Sequence, residues 1–182
     1  MAKAQEGYLD AFETLSERHG PMVYRVALRM LGNHHDAQDL AQDTMLAAWR
    51  SLDRFRGDSL FSTWLYRIVT RQALNRLTRG RVHQSLDLLN EIPTSEVAGD
   101  PQLSAERQAT VDAVGAAVST LPLPQRVVVV LHHFEGLSYA DVAEVTHSSV
   151  ASVRSHLFRG RRTLGLLLAR EALGTTEEEA DT

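Results

Sequence analysis

GLSYADVAEVTHSSVASVRSHLFRGRR, residues 136–162, holds two short helical repeats separated by a tight turn, and the second is loaded with arginine. Ser138 is a good N-cap, and Asp141 three residues on completes an S-x-x-D capping box. Val142, Ala143 and Val145 give the first helix a small apolar face. Ser148 or Ser149 can cap the second helix. Val150, Val153, Leu157 and Leu164 then recur at near-helical spacing, so one side is expected to pack inward. Ser152, Arg154, Ser155, Arg159, Arg161 and Arg162 fall on the other side, and no acidic residue balances them between Ala151 and Leu168. This is a helix-turn-helix pattern, whose second helix enters a DNA major groove. The competing reading is an ordinary surface helix with solvated charges.

The chain of 182 residues allows one or two domains, and 43% hydrophobic content is ample for packed cores. The absence of cysteine excludes a disulfide framework and any cysteine-based zinc site, and it suits a reducing cytosol. No apolar run reaches 18 residues, and MAKAQEGYLD lacks the apolar centre of a signal peptide, so a cytoplasmic location without membrane insertion is expected. The net charge of −4 is unusual for a DNA binder, but its distribution matters more than its sum. Lys and Arg against Asp and Glu number 11 and 9 in residues 1–80, and 2 and 5 in residues 81–110. They number 6 and 5 in residues 111–173, and 0 and 4 in residues 174–182. The acidity is thus concentrated in a middle segment and a tail. Lys3 is the only lysine, and arginine suits bidentate contact with phosphate and guanine.

Working outward, residues 8–31 carry helical periodicity through Leu9, Phe12, Leu15, Val23, Val26, Ala27, Met30 and Leu31. Gly20-Pro21 is expected to break or bend this run, and Gly32-Asn33 to end it. The next helix, Asp36 to Leu52, has a buried stripe of Ala37, Leu40, Ala41, Met45, Ala48, Trp49 and Leu52. Asp36, Asp39 and Asp43 share its outer face, with Gln42 nearby. That face is either simple solvated surface or a docking surface for a basic partner. Asp53 to Ser62 reads as a loop, and Phe61 to Leu77 as a helix with Trp64, Leu65, Ile68, Val69 and Leu74 inward. Its polar face holds Thr63, Arg67, Thr70, Arg71, Asn75 and Thr78. Aromatic residues beside arginines suit single-stranded nucleic acid, although Phe61 and Trp64 also fit as plain core residues.

From Arg81 to about Gln108 the periodicity is lost, and Pro93, Gly99 and Pro101 mark a linker. A second helical domain is expected over residues 109–173, with Val111, Val114, Val118 and Leu121 in its first helix. Val127–Leu131 is ambiguous between strand and helix. Pro124 before it and Glu135-Gly136 after it favour helix. Residues 174–182 read as a disordered acidic tail. No glycine-rich phosphate loop, H-E-x-x-H or G-x-S-x-G sequence occurs, so neither enzyme chemistry nor a cofactor is expected. His34-His35 and His132-His133 cannot chelate as adjacent pairs, and His35 with Asp39 is one helical turn apart on a surface, so no metal is expected.

The order of these segments resembles small bacterial sigma factors of the extracytoplasmic-function type, from about Leu15 to Leu168. The resemblance implies an all-α fold of two helical domains, sigma domain 2 and helix-turn-helix sigma domain 4, joined by an extended linker. Residues 8–80 and 109–173 are the expected domains, and 81–108 the linker. DAQDLAQDTMLAAW resembles the helix that binds the polymerase β′ clamp helices, which assigns docking to Asp39, Gln42 and Asp43. FRGDSLFSTWLYRI resembles the minus-ten region. The resemblance implies that the loop with Arg54, Phe55, Arg56, Ser59, Phe61 and Ser62 captures a flipped base, with Arg67, Arg71 and Asn75 facing promoter DNA. LPLPQRVVVVLHHFEGLSYADVAEV and SVASVRSHLFRGRRTL resemble domain 4, which contacts the minus-thirty-five element and the β flap. There Ser152, Arg154, Ser155, Phe158 and Arg159 match the reading positions, and Arg161 and Arg162 the phosphate contacts.

Many relatives have asparagine where this chain has Arg71, and often glycine or a small cysteine-containing step in the turn that is here Thr146-His147-Ser148. An acidic linker in the polymerase channel is expected to mimic nucleic acid there. The implied function is promoter recognition by core RNA polymerase, under control of an anti-sigma protein. The rivals are a stand-alone helix-turn-helix regulator, which usually needs a dimer to span two half-sites, and an adaptor that sequesters a partner.

Overall fold

The computed structural model describes residues 1–84 and 114–179, and every regular element in them is helical. The first half comprises α1 (Ala2–Gln5), α2 (Leu9–Leu31), α3 (His34–Arg50), a 3-10 turn (Leu52–Arg54) and α4 (Phe61–Gln84). The second comprises α5 (residues 114–120), α6 (Leu123–Val129) running on as a π turn (Val130–Phe134), α7 (Tyr139–Thr146) and α8 (Val150–Glu179). The all-α expectation holds, and the ambiguous Val127–Leu131 run is helical. Most of the linker expected at 81–108, with Asp87, Glu91 and Glu96, lies outside the described residues.

Local chemistry sets the element ends. Gly32 sits at φ 82° and donates its N–H to the Leu28 carbonyl, closing α2 in a left-handed turn. Asn33 accepts from the Asp36 amide at 2.8 Å and starts α3 two residues ahead of the expected Asp36. Ser138 and Asp141 form the expected reciprocal capping box, with bonds of 3.1 and 3.2 Å. His147 takes the left-handed position at φ 50°, and Ser149 caps α8 by accepting from the Ser152 amide at 3.1 Å. The turn therefore reaches without glycine the geometry that glycine adopts most readily.

Several expectations are corrected. Pro21 does not break α2, which runs through it. Proline forfeits one intrahelical bond, but Phe12 on one side and Val23, Val26, Ala27 and Met30 on the other are all buried and hold the axis. The N-terminal residues form α1, whose Gln5 side chain donates to the carbonyls of Leu52 (3.2 Å) and Phe55 (2.7 Å). Helix α4 extends through Gln84, so residues 81–84 belong to the helix rather than to the linker. Val150 is 36% exposed, because the inward face of α8 begins at Val153 and continues through Leu157 and Gly160. Residues 174–179 are helical: three successive glutamates are good helix formers, and no proline follows Gly174.

The core of the first half is Met30, Leu40, Leu65 and Val69, each at most 1% exposed, with Ala37, Ala48 and Ala73 letting the helices approach. Burying each large apolar side chain contributes about 1.5–3 kcal/mol. Val118, Leu121, Val129, Leu131, Val142 and Val153 play the same part in the second half. The two halves are not independent. One apolar cluster runs through both, and Arg126 of α6 donates to the Met30 carbonyl at the end of α2 (2.8 Å).

Candidate nucleic-acid and polymerase interfaces

Three surfaces gather the residues singled out from sequence. On α3, Asp36, Asp39 and Asp43 keep 55–58% of their side chains exposed, and Gln42 is exposed beside them. Local partners temper this charge. His35 Nδ1 lies 3.6 Å from Asp39 Oδ2, and Arg76 of α4 pairs with Asp43. Ion pairs this exposed contribute under about 1 kcal/mol, so an incoming cation can replace the internal one. Arg76 also donates to the Asp36 carbonyl at 3.3 Å, and so fixes α4 against α3. Between the two helices lies a groove of about 320 Å³ lined by Asp43, Leu46, Arg50, Gln72 and Arg76. Leu46, outside the residues expected on this face, is 46% exposed. Its signal was an apolar residue off the buried stripe, next to the acids. The donor atoms of His35, Asp36 and Asp39 fall within 4.8 Å of one another, but all three side chains are exposed, and helix-surface ion pairing accounts for the arrangement.

The second surface combines the loop before α4 with α4 itself. Phe55, Phe61 and Trp64 form a mutual cluster with centroids 5.3–5.7 Å apart, and His19 adds an edge contact to Phe61 at 5.3 Å. These rings are half-buried and packed against the core, so the plain core reading of Phe61 and Trp64 describes most of their contacts. Burial, followed by the nearby Arg18 charge, holds the His19 imidazole below its usual range. Arg54 and Arg56 are exposed, whereas Ser59 and Ser62 are half-buried. Ser59 Oγ accepts from Arg67 Nη2 at 3.2 Å, tying loop to helix. Arg71 and Asn75 are exposed one and two turns beyond Arg67. Arg54, Trp64, Arg67, Arg71 and Asn75 line a cavity of about 490 Å³, and its far wall is Val145, Thr146 and His147 of the helix-turn-helix. Nothing in the local pattern indicated that wall.

The third surface is the outer face of α8. Val153 and Leu157 point into the core, and Gly160 lets the helix approach α6 closely. Arg154, Phe158, Arg159, Arg161 and Arg162 project outward, and Phe158 is 69% exposed. A large aromatic that far in water on an arginine-lined helix has an apolar surface to offer a base or a thymine methyl. The Arg154 guanidinium lies 5.7 Å from the Tyr139 ring centre, and Arg159 Nη2 donates to Ser155 Oγ at 3.0 Å. Ser152 and Ser155 are half-buried at the flank of this face.

The family model for sigma-70 region 2 matches residues 15–82, which include the first two surfaces. That for sigma-70 region 4 matches residues 112–164, which include the third. The RNA polymerase sigma-H factor of Pseudomonas aeruginosa is 37% identical over 173 residues, spanning 90% of this chain and 89% of that protein. The chain belongs to the sigma-70 family, in its extracytoplasmic-function branch. SigW of Bacillus subtilis, an extracytoplasmic-function RNA polymerase sigma factor, is 32% identical over 179 residues, covering 90% of this sigma factor and 92% of its own chain. Among solved structures, CnrH in complex with the cytosolic domain of CnrY aligns with a TM-score of 0.69 at 27% identity. That match covers 93% of this chain and 94% of CnrH. RpoE of Bartonella quintana, in complex with the anti-sigma factor NepR, aligns with a TM-score of 0.73 at 23% identity. It covers 88% and 98% of the two chains and shares the fold. This sigma factor directs RNA polymerase to promoters and binds promoter DNA. Among its described residues no helix is long and apolar enough to cross a membrane.

Proposed function

We propose that this sigma factor divides promoter recognition among the three surfaces and performs no catalytic step. Residues 8–80 dock on core polymerase and read the minus-ten element. Residues 109–173 read the minus-thirty-five element, and the segment between the end of α4 and residue 109 connects them. Asp39, Gln42 and Asp43 contact the β′ clamp helices, with Leu46 supplying an apolar anchor beside them. Arg54, Arg56 and the Ser59–Ser62 edge meet the minus-ten strand, and Arg67, Arg71 and Asn75 meet its phosphates and bases. A flipped base costs a few kcal/mol to unstack, and the cavity beside Trp64 offers polar and apolar contacts to offset it. Arg154, Ser155, Phe158 and Arg159 read base edges, with Ser152 at the flank, and Arg161 and Arg162 hold phosphates. Domain 4 also meets the β flap. The likeness to CnrH and RpoE, each solved with a partner that is an anti-sigma factor or a cytosolic domain, supports control by an anti-sigma protein and a cytoplasmic site of action.

The observation that carries this reading is one chain with an exposed acidic helix face on α3 and arginine-rich faces on α4 and α8. A self-sufficient DNA binder has no use for the first. The test is run-off transcription with core polymerase on a genomic fragment library. Start sites sharing two spaced elements are expected, and Asp39→Arg with Asp43→Arg should abolish them. Tight promoter binding by the factor alone, in a mobility-shift assay without core enzyme, would overturn the assignment.

A further inference from the structure

Helix α1 lies ahead of the sigma-70 region 2 match, which begins at residue 15. It is nevertheless docked on the first half. Ala4 is 2% exposed and belongs to the apolar cluster there. Gly7 stands at φ 92°, and the N–H groups of Gly7 and Tyr8 donate to the carbonyls of Ala4 and Lys3, each at 3.1 Å. That left-handed turn closes α1 and leads the chain into α2. Adjacent side chains on a helix diverge by about 100°, so the inward Ala4 leaves Gln5 facing the 3-10 turn. One amide nitrogen serves two carbonyls there. Gln5 Nε2 donates to the Leu52 carbonyl at 3.2 Å and to the Phe55 carbonyl at 2.7 Å. These two carbonyls bracket Asp53 and Arg54. The Leu52 carbonyl also accepts from the Phe55 amide at 3.1 Å, so Gln5 uses the second lone pair of an acceptor that already closes the turn.

The bracketed turn carries the near edge of the minus-ten surface. Arg54 lines the cavity shared with Trp64, Arg67, Arg71 and Asn75. The Phe55 ring packs on Trp64 and Phe61, with centroids at 5.3 and 5.7 Å. Arg56 is exposed, and Gly57 follows at φ 78°. The backbone from Phe55 to Leu60 is irregular, so no helical ladder fixes the direction of its side chains. Its far end is tied to α4 by the bond from Arg67 to Ser59, and its near end is tied to α1 by Gln5. We propose that Gln5 is a positioning residue for minus-ten reading. It touches no DNA, and it fixes the backbone from which Arg54, Phe55 and Arg56 project. A loosely held turn spreads those groups over several directions, and groups held loosely discriminate less between bases. The inference rests on the assignment of this loop to the minus-ten element.

Gln5→Met keeps the length and neutrality of the side chain and removes the donor. Limited trypsin digestion of the free protein reads the turn directly, because cleavage after Arg54 or Arg56 requires that segment to open. Relative to cleavage after Arg162, nicking there should rise about three- to tenfold, the range for losing one or two net hydrogen bonds. In run-off transcription with core polymerase, discrimination among single-base minus-ten variants should fall by a similar factor. Discrimination among minus-thirty-five variants and affinity for core enzyme should stay at wild-type values. Gln5→Lys still offers N–H donors and should retain minus-ten discrimination; its added charge acts on every promoter alike, which a ratio cancels. Unchanged nicking in Gln5→Met would show that the turn holds itself and would overturn the proposal. So would faster nicking with unaltered minus-ten discrimination, or equal losses at both promoter elements, which would make Gln5 merely structural. Arg54→Ala with Arg56→Ala tests the underlying reading separately. If that double variant loses minus-ten discrimination and Gln5→Met does not, only the role of Gln5 falls. If the double variant keeps it, the assignment of the loop to the minus-ten element falls and takes the role of Gln5 with it.

Discussion

Gly160 is where α8 can be tested against its support on α6. A Cβ added there would stand 2.8 Å from Val129 Cγ2 and 3.5 Å from Gln125 Cβ. Normal carbon contacts are about 3.5–4.0 Å, so something must shift. Val129 is 1% exposed and β-branched, and in a helix its χ1 is nearly locked, so the relief has to come from moving α8 off α6. Overpacking of this kind costs about 1–3 kcal/mol. Alanine also improves helix propensity by about 1 kcal/mol over glycine, which confuses a single measurement. Gly165 resolves it, being on the same helix with nothing within 4 Å of its added Cβ. Gly165→Ala should stabilise by up to about 1 kcal/mol, and Gly160→Ala should be about 1–3 kcal/mol worse than Gly165→Ala, since propensity cancels between them. With a urea slope of about 2 kcal/mol/M, the midpoints should differ by about 0.5–1.5 M. Far-UV circular dichroism is the right probe, because both tryptophans, Trp49 and Trp64, lie in the first half. Gly160→Ala should also weaken minus-thirty-five discrimination in run-off assays, since Phe158 and Arg161 flank Gly160. If Gly160→Ala stabilises as much as Gly165→Ala, the close approach of α8 to α6 is wrong.

Arg159→Ala should relax discrimination at one minus-thirty-five position by about 1–3 kcal/mol, measured by competition among single-base promoter variants. Uniform weakening of all promoters would instead make Arg159 a phosphate contact. Thr44 is fully buried, with its hydroxyl 2.7 Å from the Leu40 carbonyl and 2.8 Å from Gln72 Oε1. Thr44→Val should cost about 1–2 kcal/mol, and Thr44→Val with Gln72→Leu should recover much of it, because the loss lies in an unpaired amide. For His19, the folded protein holds the imidazole below its ordinary value of 6.5, so the unfolded chain takes up the proton first as pH falls. Its contribution is therefore complete above pH 6.5 and declines as pH drops through that value. Stability from urea melts at pH 7.5 and 5.5 should fall less in His19→Gln than in the wild type; equal falls would remove His19 as a cause.

Much of this protein is decided by short-range chemistry. The helices follow from apolar spacing of three and four residues, and their ends from Gly32, Asn33, Ser138 with Asp141, and Ser149. Each acts within a few residues, where sequence distance and spatial distance are the same thing. The outward faces of α3 and α8 were legible for that reason, because a side chain's direction on a helix depends only on its register. Pro21 and residues 174–179 are helical because the packing or propensity of neighbouring residues outweighs a local breaker. Pairings across the fold are of another kind. Arg76 meets Asp43 across 33 residues, Arg67 meets Glu144 across 77, and Arg25 meets Glu135 across 110. No periodicity relates such positions, since their encounter depends on how whole helices pack. Residues 136–162 determined by themselves a capped pair of helices with arginines on the outward face of the second. Only the packing of α7 on α4 and of Glu135 into the first half decided that the two halves close on one another. A buried carboxylate takes whichever cations the fold brings to it, and local sequence does not say which those are.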